Sequence, residues 1–288
     1  MTELTLSAQY QGARELAKAH ELRLALDKCQ RILRAYPKHV RTYGLLGAIY
    51  LQGGRPDVAL DLFQRVLSAD PENVLAYASL GAIYHERGLL DEAVWELERA
   101  WELSPANVEV RARLQALYRE RGHEPGRKLK PTRGSLARIY MRGQLYDHAI
   151  DEWEALLREQ PYRQDLKVAL AEALWYEGRL DEAAQVCQSI LGELPNALKA
   201  NLILGRIWLD GAHDEEARAL LQRAQALDPE NLVAQELFGA GSPLPPRVIR
   251  LPFEPGDAPE VDLPYLRAED AATEAGQEIH AAAPPSDI

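Results

Sequence analysis

The pentapeptide LGAIY occurs twice in the chain, at residues 46–50 and again at residues 80–84. Degenerate copies of this word follow, and the six copies begin at Leu46, Leu80, Leu114, Leu136, Leu170 and Leu204. Successive copies are 34 residues apart, except for one step of 22 residues between the third and the fourth. A fixed spacing of this length indicates a repeated structural unit.

Three further residue types keep the same phase as this word. A proline closes each unit, at Pro37, Pro71, Pro105, Pro161, Pro195 and Pro229. A small residue recurs at Ala25, Ala59, Ala93, Ala149, Ala183 and Ala217. Four positions after each alanine comes a residue that is mostly larger: Cys29, Phe63, Leu97, Trp153, Cys187 or Leu221. Each unit therefore carries a fixed pattern of small and large side chains.

The apolar residues within a unit have helical spacing, as at Tyr43, Leu46 and Tyr50. A glycine in the middle and a proline at the end divide each unit into two helices. The glycines at Gly47, Gly81 and Gly205 are expected to face the phased alanines. We expect the two helices to approach closely there, with the residue four positions after each alanine filling the space beside the glycine.

The combination of L-G-x-x-Y, A-x-x-x-F and a closing proline at a 34-residue period resembles the tetratricopeptide repeat family. The matching units span residues 40–73, 74–107, 130–163, 164–197 and 198–231, with a degenerate unit at 6–39 in which Gly12 and Ala13 replace Leu-Gly. The resemblance implies an all-α fold, an alpha-solenoid of about six helix-turn-helix repeats with two capping helices.

The short step of 22 residues predicts how these repeats are grouped. Residues 6–121 form a first block of three repeats with a capping helix, and residues 133–240 form a second block of the same composition. A basic Gly/Pro hinge at residues 122–132 joins them and includes Arg127, Lys128 and Lys130, which offer a contact for an acidic segment. One unbroken superhelix with a bulge is the alternative.

From residue 241 onward the composition changes, since the last 48 residues hold nine of the 18 prolines, three Arg and nine Asp or Glu. Such a composition predicts a disordered, flexible tail over residues 241–288. Two apolar words within it, at 247–255 and 261–266, have the character of short docking motifs. Their candidate contact residues are Leu251, Phe253, Leu263, Tyr265 and Leu266.

Charge and composition disfavour several classes of function. The net charge of −11 argues against a nucleic-acid partner, and no apolar stretch is long enough for a membrane span. The N-terminus lacks the pattern of a secretion signal, so a cytoplasmic location is expected. The sequence contains neither a metal-ligand spacing nor a nucleophile or phosphate-binding motif, and we expect no metal, no cofactor and no enzymatic activity.

Family resemblance implies that the first helices of successive repeats line a concave groove that holds a partner's peptide or helix. Counting from the leucine of each word, the groove residues are Leu45, Ala48, Leu51, Ala78, Ser79, Ala82 and His85 in the first block, and Arg138, Glu172, Trp175 and Arg206 in the second. The first set is small and largely apolar, whereas the second is polar with one large aromatic residue. Small residues there are equally consistent with tight curvature alone.

The function predicted from these features is that of a non-catalytic adaptor or scaffold for protein–protein interaction. One alternative is an autoinhibited regulatory module whose own tail occupies the groove. Another is a positioning subunit of an enzyme or of an assembly complex. The adaptor role makes residues 241–288 a second binding element, whereas the autoinhibited module places them in the groove.

Overall fold

The computed structural model describes residues 4–122 and 131–251 and shows an all-α solenoid. Within these ranges there are fourteen α-helices. We use first block only as a name for the helices before residue 123, and second block for those after residue 130. The helices before residue 123 are α1 Leu6–Lys18, α2 Leu22–Ala35, α3 Val40–Gln52, α4 Pro56–Ala69, α5 Val74–Glu86, α6 Leu90–Leu103 and α7 Val108–Glu120. Those of the second block are α8 Arg133–Arg142, α9 Tyr146–Glu159, α10 Gln164–Glu177, α11 Leu180–Glu193, α12 Leu198–Asp210, α13 Asp214–Leu227 and α14 Leu232–Phe238.

Twelve of these helices form six packed pairs, in which each helix contacts the next one along the chain. The unpaired helices are α7 and α14, at the ends of the two blocks, which confirms the expected pair of capping helices. Local sequence fixes several helix starts. Asn73 accepts a hydrogen bond from the Ala76 amide at 3.0 Å and so caps α5, while Pro56 occupies the first turn of α4.

Close packing of the two helices of a repeat depends on the glycines that were predicted to lie opposite the recurring alanines. A Cβ atom added to Gly81 would lie 2.8 Å from Leu97 Cγ, and one added to Gly47 would lie 2.9 Å from Phe63 Cε1. At Gly205 the corresponding distance to Leu221 is 3.0 Å. These separations are shorter than a carbon–carbon contact, so the predicted close approach of the two helices is confirmed.

The chain also contains a short β-pairing that the sequence did not predict. Strand β1, Leu4–Thr5, pairs antiparallel with strand β2, Arg250–Leu251, so that Leu4 faces Leu251. Residues 242–251 were assigned to the flexible tail, but they pack against the repeats. Ile249 and Leu251 are 5% and 6% exposed, because their apolar side chains bury against α1 and α2.

The junction between the two blocks departs from regular stacking. Helix α6 contacts α7 and also packs against α8, the first helix of the second block. Thr132 caps α8, since its hydroxyl accepts a hydrogen bond from the Ser135 amide at 3.1 Å. Residues 123–130 lie outside the described ranges, and the division into two blocks with a hinge stays a prediction.

Candidate functional site

The two blocks face each other along one edge, where the turns before the first helices of the pairs meet. Ser7 Oγ donates hydrogen bonds to Glu230 at 2.8 and 3.0 Å, and Lys199 Nζ donates to Glu72 at 2.8 Å. At the junction, Arg163 Nη2 donates to Glu102 at 2.8 Å. We call this line of contacts the seam. It is defined by Ser7, Arg41, Glu72 and Glu102 of the first block and Glu230, Asp228, Lys199 and Arg163 of the second.

The partners along the seam run in opposite chain directions. The start of α1 meets the turn before α14, the turn before α5 meets the start of α12, and the end of α6 meets the turn before α10. Arg41 at the start of α3 lies near Asp228, where it opposes the effect of burial, which raises the pKa of that carboxyl. The second block is therefore folded back antiparallel onto the first.

Four charged side chains converge at the middle of the seam. Arg138 Nη1 donates to Glu72 Oε1 at 2.6 Å, and Lys199 Nζ donates to Glu72 Oε2 at 2.8 Å and to Glu172 Oε2 at 2.6 Å. Burial alone would raise the pKa of Glu72, but Lys199 and Arg138 lower it to about 2. Burial raises the pKa of Glu172 against the opposing effect of Lys199. Two cations thus balance two carboxyl groups in a partly desolvated cluster.

Arg138 uses only one part of its guanidinium group for this cluster. Its Nε and Nη2 atoms are buried and have no hydrogen-bond partner among the described residues. The Trp153 ring lies 5.9 Å from Cζ, so the guanidinium sits over an aromatic face. Nε and Nη2 together form the edge of the guanidinium that can bind two oxygen atoms at once. Arg138 therefore retains capacity for an additional oxygen ligand.

A second charged cluster lies where α6 meets the second block. Arg163 donates to Glu102 and also, through Nε at 3.0 Å and through Nη2, to Asp165. Thr132 Oγ1 donates to Glu102 at 2.9 Å. Glu102 lies against Gly134, since a Cβ atom added there would fall 2.2 Å from Glu102 Oε1. This junction is fixed by hydrogen bonds between charged groups and by a glycine that makes room for them.

In the first block, the residues expected to line the groove are largely covered. Leu45 and Ser79 are each only 8% exposed. Ala48, Leu51 and Ala78 are partly buried and pack against the main core. These positions contribute mainly to the interior of the fold. Two further predicted groove residues differ in environment: Ala82 is half-buried, and His85 is exposed at the end of α5, where its Nε2 lies 2.8 Å from Glu120 of α7.

In the second block, the predicted residues remain polar and partly accessible. Arg138 and Glu172 belong to the central cluster described above. The Trp175 ring contacts Phe238 of α14 edge to face, at 5.4 Å between ring centroids. Arg206 donates to Asp210 at 2.8 Å and to the main-chain oxygen of Gly241. The structure thus brings two of the four together and places the other two beside α14.

Sequence reasoning missed Glu72 and Lys199, although they link the two blocks. Glu72 lies in a turn outside the positions counted from the leucine word, and Lys199 precedes them in α12. Of the other candidates, Arg127, Lys128 and Lys130 of the hinge lie outside the described residues. So do Phe253, Leu263, Tyr265 and Leu266 of the tail, whereas Leu251 is buried in the contact with β1.

The two thiols and the arrangement of potential metal ligands provide no further site in the described ranges. Cys29 and Cys187 are fully buried, and burial raises the pKa of each to about 12. Over residues 4–122 and 131–251, no group of three His, Cys, Asp or Glu side chains is arranged to hold a metal ion. None of the described helices is long and apolar enough to cross a bilayer.

Comparison with known proteins identifies the repeat. A family model described as tetratricopeptide repeat matches residues 10–73, 46–108 and 135–197, and a second model with the same description matches residues 174–237. No curated protein matches the chain.

Similar solved structures include the P58(IPK) TPR domain, with 15% identity and a TM-score of 0.35. That match covers 81% of this chain and 62% of the other, less than two thirds of its length. MamA AMB-1 is 26% identical over 65% of this chain and 96% of its own, with a TM-score of 0.29. The TPR2AB domain of yeast Sti1, solved as a complex with pHSP90, is 16% identical over 81% and 95%, with a TM-score of 0.36.

Proposed function

This chain belongs to the tetratricopeptide repeat family, and from that premise we propose that it is a non-catalytic protein-interaction module. Its ligand is a polypeptide segment of another protein, bound on the side of the second block that carries Arg138, Glu172 and Trp175. The cytoplasmic location remains a prediction from the sequence.

The unpaired edge of Arg138 is the observation that carries this proposal. A buried guanidinium normally has all its donors paired, because each unpaired donor loses its hydration without compensation. Nε and Nη2 of Arg138 lack such a partner among the described residues. A carboxylate or a main-chain carbonyl of a bound segment would supply the missing oxygen atoms once movement of the surrounding side chains exposes these two buried nitrogens.

Neighbouring side chains favour a polypeptide over a small ligand. Lys199 and Glu172 offer one donor and one acceptor beside Arg138, and Trp175 on the same helix as Glu172 offers an aromatic surface. Charged groups lie on successive helices, and an aromatic side chain lies nearby. Such a surface can contact an extended or helical segment through side chains that recur at regular spacing along it. The first block supports this proposal less, since Leu45 and Ser79 are buried.

Site-specific photocrosslinking tests where the partner binds. A benzophenone amino acid replaces Trp175 in one version of the full chain and Leu24 in a matched version, because Leu24 is 50% exposed on α2. Irradiation in lysate should give a discrete crosslinked protein at position 175 and none at position 24. Arg138→Gln should then reduce binding of the identified segment at least about 10-fold. A partner that crosslinks at 24 and not at 175 would refute the proposed site.

A further inference from the structure

The chain termini of the described fold are joined by a small contact of their own. β1 pairs with β2, and the Leu6 amide donates to the Ile249 carbonyl at 2.8 Å. Leu6, Ile32, Ile249 and Leu251 form an apolar cluster that is separate from the main core. We call residues 247–251 with this cluster the clasp.

The position of the clasp along the seam determines which part of the seam it can hold closed. It lies beside the Ser7–Glu230 contact, at the end of the seam formed by α1 and α14. At the opposite end, α6 packs against both α7 and α8, and Arg163 binds Glu102. The blocks are therefore joined by chain and by packing at one end, and at the other by the clasp together with the polar Ser7–Glu230 contact. A contact at this end, farthest from the α6–α8 junction, has the greatest influence on whether the seam stays closed.

The contacts between these two ends are mostly polar. Ser7–Glu230 and Glu72–Lys199 are hydrogen bonds or ion pairs. Water can replace such contacts at little net change in free energy, whereas the helix pairs inside each block are held by a large apolar core. The seam can therefore separate while the repeats stay folded, provided that the clasp has released.

The short segment that connects α14 to the clasp lies against α14, with Leu244 partly buried against the main core. Asn231 Nδ2 donates to the Pro245 carbonyl at 2.7 Å, and Gln235 Nε2 donates to the Leu244 carbonyl at 2.6 Å. Val248, between these contacts and β2, is 77% exposed. Because residues 244–245 remain tied to α14, release of the clasp leaves α1 held to the second block by the Ser7–Glu230 contact and does not detach the whole segment.

We propose that the clasp is a latch that holds the two blocks closed along the seam, and that its release opens the seam at the α1–α14 end. Opening uncovers Glu72, Lys199 and Arg138, whose charges are paired across the seam in the closed form. The latch stands on the geometry of the described chain alone. That the opened seam admits the partner segment rests on the proposed function.

The test compares full-length variants in solution, without any partner. Ile249→Asp combined with Leu251→Asp places two charges in the apolar cluster and should release the latch. Val248→Asp is the control, because it adds one carboxylate at an exposed neighbouring position. Small-angle scattering gives the radius of gyration, light scattering the mass, circular dichroism the helicity, and hydrogen exchange the protection of α1.

A released latch predicts a larger radius of gyration and amide exchange in α1 at least about 10-fold faster, with unchanged mass and helicity. The Val248→Asp protein should match the wild type. An unchanged radius in the double variant would overturn the proposal. A loss of helicity would also overturn it, since the segment would then be part of the repeat fold. A doubled mass would show that β2 pairs with β1 of a second copy instead.

A disulfide provides the converse test. Thr5→Cys with Arg250→Cys joins facing residues of β1 and β2, and the two natural cysteines are buried and do not compete. Placed in the Ile249→Asp, Leu251→Asp background, the oxidised form should stay compact, whereas the reduced form should expand. If the oxidised form expands equally, the latch does not control the seam. A different outcome is that the latch variants expand while the photocrosslinker at position 175 still yields no crosslinked protein. That result would refute the proposed function and leave the latch proposal supported.

Discussion

Lys199, at the beginning of α12, donates to Glu72 across 127 positions of sequence at 2.8 Å, and this bond ties the middle of the second block to the middle of the first. The side chains are 27% and 11% exposed, so the pair is largely removed from water. Loss of either partner leaves a partly buried charge uncompensated. Substitution of one partner should therefore cost more free energy than it would at a surface ion pair.

Glu72→Gln should lower the free energy of unfolding by about 1–3 kcal/mol at pH 7, as measured by urea denaturation. The folded pKa of Glu72 is about 2, below its ordinary value of 4.5, so this stabilisation is present above pH 4.5 and is lost as the pH falls toward 2. Asp57→Asn is the control, since Asp57 binds Arg87 while 90% exposed, and should change stability by less than about 1 kcal/mol. Equal effects of the two substitutions would contradict this assignment.

Gly81→Ala should destabilise the fold by about 1–3 kcal/mol, because the new methyl group would lie 2.8 Å from Leu97 Cγ and 3.2 Å from the Ala93 carbonyl oxygen. Gly44→Ala is the matched control in α3. Its Cβ meets only Val66 Cγ2 at 3.9 Å, so the gain in helix propensity should make it neutral or stabilising. The melting temperatures of both variants are compared with that of the wild type. A Gly81→Ala protein as stable as the wild type would be evidence against close approach of the two helices.

Glu96→Gln should change the pH dependence of stability. Burial raises the pKa of Glu96 to about 8, against the effect of Arg99, and Oε2 has no hydrogen-bond partner in the described chain. A raised folded pKa means that stability is full below pH 4.5 and declines up to pH 8, by roughly 1 kcal/mol per pH unit. The glutamine variant should lack this decline and gain stability above pH 8. Parallel curves for the two proteins from pH 5 to 9 would rule out the buried neutral carboxyl.

Arg163→Lys should destabilise the junction by about 2–4 kcal/mol although the charge is kept. Arg163 is 3% exposed and binds Asp165 through two nitrogens while reaching Glu102, a geometry that one ammonium group cannot reproduce. Arg158→Lys serves as the control, because Arg158 is exposed and donates, among the residues that the structure describes, to the Glu154 carbonyl. Urea denaturation measures both, and similar midpoints would show that the forked geometry is unimportant.

The repeats were predictable from sequence because each depends on residues close together in the chain. Leu97 lies four positions after Ala93 and fills the space beside Gly81, so both sides of this helix–helix contact lie within one 34-residue unit. The seam was not predictable in this way. Glu72 and Lys199 belong to different blocks, and their pairing depends on how the junction at α6 and α8 orients the second block.

The segment after α14 shows that amino-acid composition is also a limited guide to whether a segment is ordered. Its prolines and charges predict a flexible tail, yet Ile249 and Leu251 find an apolar surface at Leu6 and Ile32. The apolar word that begins at residue 247 was recognised as a docking motif, but the surface that receives its first residues belongs to the opposite end of the chain. Composition measures how much apolar surface a segment carries and says nothing about a distant partner for it.

Zero-length carbodiimide crosslinking of the wild-type full chain tests the closed seam most directly. The reagent joins an ammonium to a carboxylate only when the two are in contact, and Lys199 contacts both Glu172 of its own block and Glu72 of the other. Mass spectrometry of the monomeric product should identify Lys199 linked to Glu72 as well as to Glu172. A Lys199–Glu172 link without any Lys199–Glu72 link would show that the two blocks do not close on each other in solution.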